Sequence, residues 1–213
     1  MNKIYFGGCS ITEGDGFVGK KDNCQIYPNL LSSDIINDSE GGSSNLKIFT
    51  KGSTAIIDNL ASVYIIQWSA LHRHWVYPTP DSGIYLADTK NKHAEWYQKQ
   101  NHDYGNILQL IQFCRILEDL ANNHNVKLIF VNGLVNWSND IEWMNILVSD
   151  ASSDHIQFVK NLQNNMELLN WDLWINPWNN IYQNKLDLAD DNLHPGPLTH
   201  KHIANTIRDK LSI

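Results

Sequence analysis

Cysteine is scarce in this chain, which has three cysteines in 213 residues, Cys9, Cys24 and Cys114. Their spacing matches no metal-ligand pattern, and an odd number of thiols argues against a disulfide framework. We therefore expect free thiols, a reducing compartment and a cytoplasmic location.

Positive charge is also in deficit. Lys and Arg number 16 against 23 Asp and Glu, which gives a formal net charge of -7 at pH 7. Without a basic face to neutralise phosphates, nucleic acid is not an expected partner. No apolar run reaches the length of a membrane span, and the first residues have the pattern of a strand rather than of a signal peptide. We therefore expect no association with a membrane.

The hydrophobic pattern alternates between two kinds of segment. Continuous apolar runs, typical of buried parallel strands, occur at 3–6, 62–68 and 126–132, with a weaker one at 172–175. Apolar residues spaced three or four apart predict helices over 27–36, 45–59, 104–123, 155–169 and 198–211. This alternation predicts a three-layer α/β/α fold around a parallel sheet. With 213 residues, 42% of them hydrophobic, the chain is expected to form one domain over 1–213.

The segment 77–103 interrupts the alternation. Pro78, Pro80 and Gly83 are followed there by polar and aromatic residues without a clear period. The segment comes after the carboxyl end of the strand predicted at 62–68, and ligands bind at that edge of open α/β sheets. We interpret it as a lid or substrate-shaping loop, with a plain surface insertion as the equal alternative.

A glycine-flanked serine, Ser10, follows the first predicted strand in the run Gly7-Gly8-Cys9-Ser10, with Gly14 four residues later. A serine hydroxyl becomes an effective nucleophile when a base takes its proton and donors stabilise the oxyanion. His194 and Asp191, three residues apart before the last helix, could supply the base and the acid that orients it. Either motif alone is typical of a turn, but both fall at the carboxyl edge of one predicted sheet, which indicates a catalytic triad.

The two motifs, Gly7-Gly8-Cys9-Ser10 with Gly14 and Asp191-Asn192-Leu193-His194-Pro195, resemble the first and last sequence blocks of the SGNH (GDSL-like) hydrolases. The resemblance implies a flavodoxin-like α/β fold and a Ser-Asp-His triad. It also implies hydrolysis of esters of lipids, sugars or small acyl groups. Cys9 occupies the position of the aspartate in that family's Gly-Asp-Ser.

Two further blocks of that family contribute donors to the oxyanion. The run Glu40-Gly41-Gly42-Ser43-Ser44-Asn45 resembles the second block, with Gly42 as the better match for its glycine. The third block, Gly-x-Asn-Asp, reads Gln67-Trp68-Ser69-Ala70 here, so Ser69 occupies the position of the asparagine. Its hydroxyl could donate one hydrogen bond. Other candidate donors at this edge are Gln67, Arg73, His72 and His74.

Two His-x-His pairs, His72 with His74 and His200 with His202, raise the question of a metal. The second pair lies in a predicted helix, where residues two apart point in different directions, and no cysteines or carboxylates cluster with either pair. We expect no metal and no cofactor, and we assign His200 and His202 to the surface and packing of the helix.

These observations predict a serine esterase that acts through an acyl-enzyme on a small-molecule or glycan ester. Family analogy suggests a short acyl group, such as an acetyl group on a carbohydrate. Two alternatives stay open, an acyltransferase on the same triad and a non-catalytic binding module, because the asparagine block is altered. A nucleotide-binding sheet is the weakest alternative, since no Gly-x-x-x-x-Gly-Lys-Ser/Thr loop is present. The sequence does not fix the oligomeric state.

Overall fold

The computed structural model describes residues 3–71, 74–79, 82–86, 103–135, 153–175 and 178–212. Its strands are β1 (Ile4–Gly7), β2 (Ile35–Asn37), β3 (Val63–Trp68), β4 (His74–Thr79), β5 (Ser82–Leu86), β6 (Lys127–Asn132) and β7 (Trp174–Ile175). Its α-helices are α1 (Ser10–Glu13), α2 (Tyr27–Leu31), α3 (Asn45–Ile57), α4 (Asp103–Asn123), α5 (Ser153–Glu167) and α6 (Pro197–Leu211). Short 3₁₀ helices cover Lys20–Asp22 and Trp171–Leu173.

A five-stranded sheet in the order β2-β1-β3-β6-β7 forms the middle layer, and all of its strand pairs are parallel. Its interior strands β1, β3 and β6 are mostly apolar and almost entirely buried, as expected where helices cover both faces of a sheet. The predicted fold class is confirmed.

Side chains on each strand alternate between two hydrophobic cores, one on each face of the sheet. Tyr5, Tyr64 and Phe130 point to the core shared with α3, α4 and α5. Phe6 and Ile65 point to the opposite core, which contains residues of α2 and α6. This period of two is what a pleated strand imposes, and it places helices on both sides of one sheet.

Most predicted elements are present, with shifted ends. The helix predicted over 27–36 is wrong in its second half, because α2 ends at Leu31 and β2 follows as an edge strand. The polar residues at 32–34 end the helix, and a three-residue strand is too short to show alternation. The predicted strand at 172–175 is reduced to the two residues of β7.

Part of the segment 77–103 forms a hairpin that begins before it. Strands β4 and β5 pair antiparallel as a separate two-stranded sheet, with a shift in register between Val76 and Thr79. Pro78 lies within that shift, in keeping with proline's lack of an N–H for the ladder. Residues 87–102 lie outside the described residues. None of the helices in the described part of the chain is both long and apolar enough to span a membrane.

Candidate active site

Ser10 lies at the carboxyl edge of the sheet, three residues beyond the end of β1, and is the first residue of α1. Its side chain is almost buried, with 6% of the residue exposed. The turn that delivers it is tight, since a Cβ added to Gly8 would lie 2.3 Å from Thr12 Oγ1. The Ser10 carbonyl accepts hydrogen bonds from the N–H groups of Gly14 and Asp15, at 3.0 and 2.9 Å. The absence of a side chain at Gly8 therefore allows the chain to turn closely enough for α1 to begin at Ser10.

Asp191 and His194 form a hydrogen-bonded acid–histidine pair in the final loop. Asp191 Oδ2 lies 2.6 Å from His194 Nδ1. The second oxygen, Oδ1, accepts the backbone N–H groups of Leu193 and His194 at 2.9 and 3.0 Å. Hydrogen bonds from the His194 ring and backbone lower the pKa of Asp191 to about 2, so it is ionised at neutral pH. An ionised acceptor at Nδ1 fixes the ring and leaves Nε2 as its proton acceptor.

The loop that carries this pair packs against the segment that follows Ser10. The backbone N–H of Asp190 donates to the Gly16 carbonyl at 3.1 Å. Gly16 has a φ of 93°, and a Cβ there would lie 2.8 Å from Asp191 Oδ1. Among the hydrogen bonds of the described residues, none joins Ser10 Oγ directly to the His194 ring. Contacts of this kind are commonly longer before substrate binds.

The predicted oxyanion glycine lies in a four-residue turn. The N–H of Ser43 donates to the Glu40 carbonyl at 3.1 Å, and Glu40 N–H donates to the Gly8 carbonyl at 3.2 Å. Gly42, at the third position of this turn, has a φ of 76°. A type II turn requires that conformation and favours glycine there. The turn is thereby tied to the residues that precede Ser10.

Ser69 is fully buried at the end of β3. Its backbone N–H donates to Asn45 Oδ1 at 2.8 Å, and its carbonyl accepts Asn45 Nδ2 at 3.2 Å. Asn45, the first residue of α3, therefore fixes the segment after β3 through both arms of its amide. Sequence reasoning did not assign Asn45 this role, although it is the last residue of the run that resembles the second block.

Gln67 is buried beneath Ser10 rather than directed at a ligand. Its Nε2 donates to the Trp68 carbonyl at 2.9 Å and to Cys9 Sγ at 3.2 Å. Its Oε1 accepts from Thr12 Oγ1 at 2.7 Å. Both amide hydrogens are engaged within the protein, so this structure gives Gln67 the role of supporting the Ser10 turn.

The same buried network continues to the last helix. Thr12 Oγ1 and the Tyr27 hydroxyl are 2.6 Å apart, and the Tyr27 N–H donates to His200 Nδ1 at 3.1 Å. The His200 ring lies between Phe17 and Tyr27, with centroids 5.2 and 5.8 Å away. Burial lowers the pKa of His200 to about 4. His200 is thus a neutral core residue, while His202, two residues on, is exposed.

The remaining candidates from the sequence stay predictions. Arg73 and His72 lie outside the described residues, and His74 begins β4. Within the described ranges, no group of three His, Cys, Asp or Glu side chains is arranged to hold a metal ion.

A glycine spacing shared with dinucleotide-binding turns occurs at Gly14, Gly16 and Gly19. In such turns the pattern joins a strand to a helix, whereas here it follows the four-residue α1 and leads into a 3₁₀ helix. The three glycines have φ values of 87°, 93° and 82°. They shape the loop that receives Asp191 rather than a phosphate cradle.

The fold is that of the SGNH (GDSL-like) hydrolases, an α/β/α sandwich around a five-stranded parallel sheet. No protein-family model and no curated protein matches the sequence. Solved structures with a similar fold include esterases, at low sequence identity.

Three such structures each cover 98% or more of this chain. The psychrotrophic esterase EstA from Pseudoalteromonas sp., inhibited by monoethylphosphonate, has 10% identity and a TM-score of 0.52, covering 100% of this chain and 97% of its own. A catalytic mutant of Axe2, an acetylxylan esterase from Geobacillus stearothermophilus, has 14% identity and a TM-score of 0.53, covering 100% and 94%. TesA has 11% identity and a TM-score of 0.52, covering 98% and 97%.

Proposed function

We propose that this protein is a serine esterase that hydrolyses short acyl esters, with acetylated carbohydrate as its substrate class. The observation that carries the proposal is the 2.6 Å contact between Asp191 Oδ2 and His194 Nδ1. It lies in a loop packed against the segment after Ser10, in a fold shared with esterases. The carbohydrate part is supported by one similar structure being an acetylxylan esterase.

The reaction follows from the roles of these three side chains. Ser10 Oγ attacks the ester carbonyl carbon while His194 Nε2 takes its proton, and the ionised Asp191 stabilises the imidazolium that forms. The carbon–oxygen bond to the alcohol breaks as His194 returns the proton to the leaving oxygen. Water then attacks the acyl-serine with the same histidine as base, which releases the acid and restores Ser10.

The negative charge on the tetrahedral oxygen requires nearby donors. The Ser10 N–H belongs to the first residue of α1, where N–H groups have no partner within the helix. The Gly42 N–H lies within the turn whose Glu40 N–H is bonded to the carbonyl of Gly8, close in sequence to Ser10. We assign these two N–H groups to the oxyanion, with the Ser69 hydroxyl as a third donor.

The test combines turnover with covalent labelling. Wild type, Ser10→Ala and the control Ser33→Ala, an exposed loop serine, are assayed with p-nitrophenyl acetate and acetylated xylooligosaccharides. They are then treated with a phosphonate ester and weighed by intact-protein mass spectrometry. Turnover and a single phosphonyl adduct in wild type and Ser33→Ala, with neither in Ser10→Ala, are expected. Equal labelling and turnover of Ser10→Ala would remove Ser10 from the mechanism.

A further inference from the structure

The carboxylate of Glu13 connects two parts of the proposed oxyanion site that come from different segments of the chain. Glu13 is the last residue of α1, the helix that Ser10 begins. Its Oε2 accepts a hydrogen bond from the backbone N–H of Gly41. Gly41 immediately precedes Gly42, so one side chain joins the helix of the nucleophile to the turn of the second donor.

The fit between this carboxylate and the turn is close. A Cβ added to Gly41 would lie 2.9 Å from Glu13 Oε2 and 2.6 Å from Asp15 Oδ2. Asp15 is paired with Lys20, whose Nζ lies 2.8 Å from Asp15 Oδ1. Glu13 is therefore the carboxylate whose hydrogen bond holds the turn, and Asp15 packs beside it.

The other hydrogen bonds of the turn hold its ends. Glu40 N–H is bonded to the Gly8 carbonyl, and Ser43 N–H to the Glu40 carbonyl. Neither bond involves the peptide between Gly41 and Gly42. Because both residues lack a Cβ, their backbone has wide conformational freedom, and the direction of the Gly42 N–H depends on an additional restraint. The bond from the Gly41 N–H to Glu13 lies one peptide earlier, where it fixes the peptide between Glu40 and Gly41 from which the peptide carrying the Gly42 N–H extends. It is the restraint nearest to that N–H.

We infer that Glu13 is a positioning residue that orients the Gly42 N–H toward the oxyanion, an inference that rests on the proposed function. A donor of this kind stabilises the transition state when it lies about 2.7–3.1 Å from the developing oxyanion. If the Gly42 N–H is misdirected, its hydrogen bond to the substrate oxygen is weakened most in the transition state, where the negative charge on that oxygen is greatest. Loss of the Glu13 contact should therefore lower kcat with little change in KM.

Three substitutions separate the hydrogen bond from the charge. Glu13→Ala removes the acceptor and is expected to lower kcat about tenfold to hundredfold, within the cost of losing one oxyanion donor. Glu13→Asp keeps the charge but withdraws the oxygen by one methylene, so it should resemble Glu13→Ala. Glu13→Gln keeps a carbonyl oxygen of the same reach and should recover most of kcat. The control Glu167→Gln removes one negative charge at the exposed end of α5 and should match wild type.

A second measurement does not depend on turnover. In the Ser10→Ala background, amide hydrogen exchange of Gly41 should be faster in Glu13→Ala than in Glu13→Gln, because the protecting acceptor is gone. Thermal melting of each variant shows whether it is folded, and Glu13→Asp supplies the comparison if Glu13→Ala does not fold.

The possible outcomes distinguish this inference from the proposed function. Wild-type kcat in Glu13→Ala and Glu13→Asp, with Ser10→Ala inactive, overturns the role of Glu13 alone. The role of Glu13 is also overturned if Glu13→Gln loses as much kcat as Glu13→Ala, because charge rather than hydrogen bonding would then be responsible. Wild-type turnover in Ser10→Ala instead overturns the proposed function itself.

Discussion

Lowering the pH from 7 to 4 is expected to destabilise the folded chain through His200. The ring is fully buried between Phe17 and Tyr27, and its Nδ1 accepts the Tyr27 N–H, so the proton of the neutral ring is on Nε2. Protonation would add an N–H at Nδ1, which would face the N–H of Tyr27. It would also bring a positive charge into the core. Burial therefore favours the neutral form.

The size of the effect follows from the pKa. Burial lowers the pKa of His200 from 6.5 to about 4; Asp187 and the nearby Pro195 carbonyl oppose the shift, and His194 adds to it. The Pro195 carbonyl does not reach hydrogen-bonding geometry, since Nε2 has no partner among the described residues. Because the unfolded chain binds the proton first, stability is fully present above pH 6.5 and falls as the pH drops toward 4. The total loss is about 3 kcal/mol, a large part of a typical domain's stability.

Urea unfolding from pH 7 to 4 measures this loss in wild type, His200→Asn and His202→Asn. An asparagine oxygen can still accept the Tyr27 N–H, so His200→Asn should fold. Between pH 7 and 4 its free energy of unfolding should fall by about 3 kcal/mol less than that of wild type. His202 is exposed on the same helix, and its substitution should leave the wild-type pH dependence intact. Parallel curves for wild type and His200→Asn would refute the assignment of His200 as a buried neutral ring.

Four further substitutions test the packing and electrostatics of the protein. Gly133→Ala should lower the free energy of unfolding by about 1–3 kcal/mol, because its Cβ would lie 1.8 Å from Gln67 Nε2. Gly105→Ala, in open space on α4, should instead raise it by up to about 1 kcal/mol, and a loss there would contradict this contrast. Gln67→Leu leaves buried polar partners unpaired and should cost about 1–3 kcal/mol in urea unfolding; unchanged stability would count against the network. Asp191→Asn should reduce kcat by up to about 10⁴ because the amide favours the wrong tautomer of the triad histidine, whereas wild-type kcat would remove Asp191 from the mechanism.

The fold was largely predictable because its signals are local. Buried parallel strands require continuous apolar runs, and the runs at 3–6, 62–68 and 126–132 correspond to β1, β3 and β6. The edge strand β2 was not predicted, since three residues carry too little pattern to distinguish a strand from the end of a helix. Its place in the sheet comes from pairing with β1.

The candidate site, like the fold, was predictable only in part. Asp191 and His194 are three residues apart, so a single loop brings them together and the spacing alone indicated the pair. The interpretation of Gln67 as a possible donor depended on its position at the edge of a strand. The structure directs its side chain to Thr12 and Cys9 instead, a choice set by packing across the sheet.

Local patterns in the chain were enough to indicate the three interior strands of the sheet, most of the helices, the serine after the first strand and the acid–histidine spacing of the last loop. These features depend on neighbours within a few residues. Packing between distant segments set the rest: Glu13 reaches Gly41, and His200 is buried while His202 is exposed. Such contacts depend on which faces of the elements meet, and spacing along the chain does not encode that choice directly.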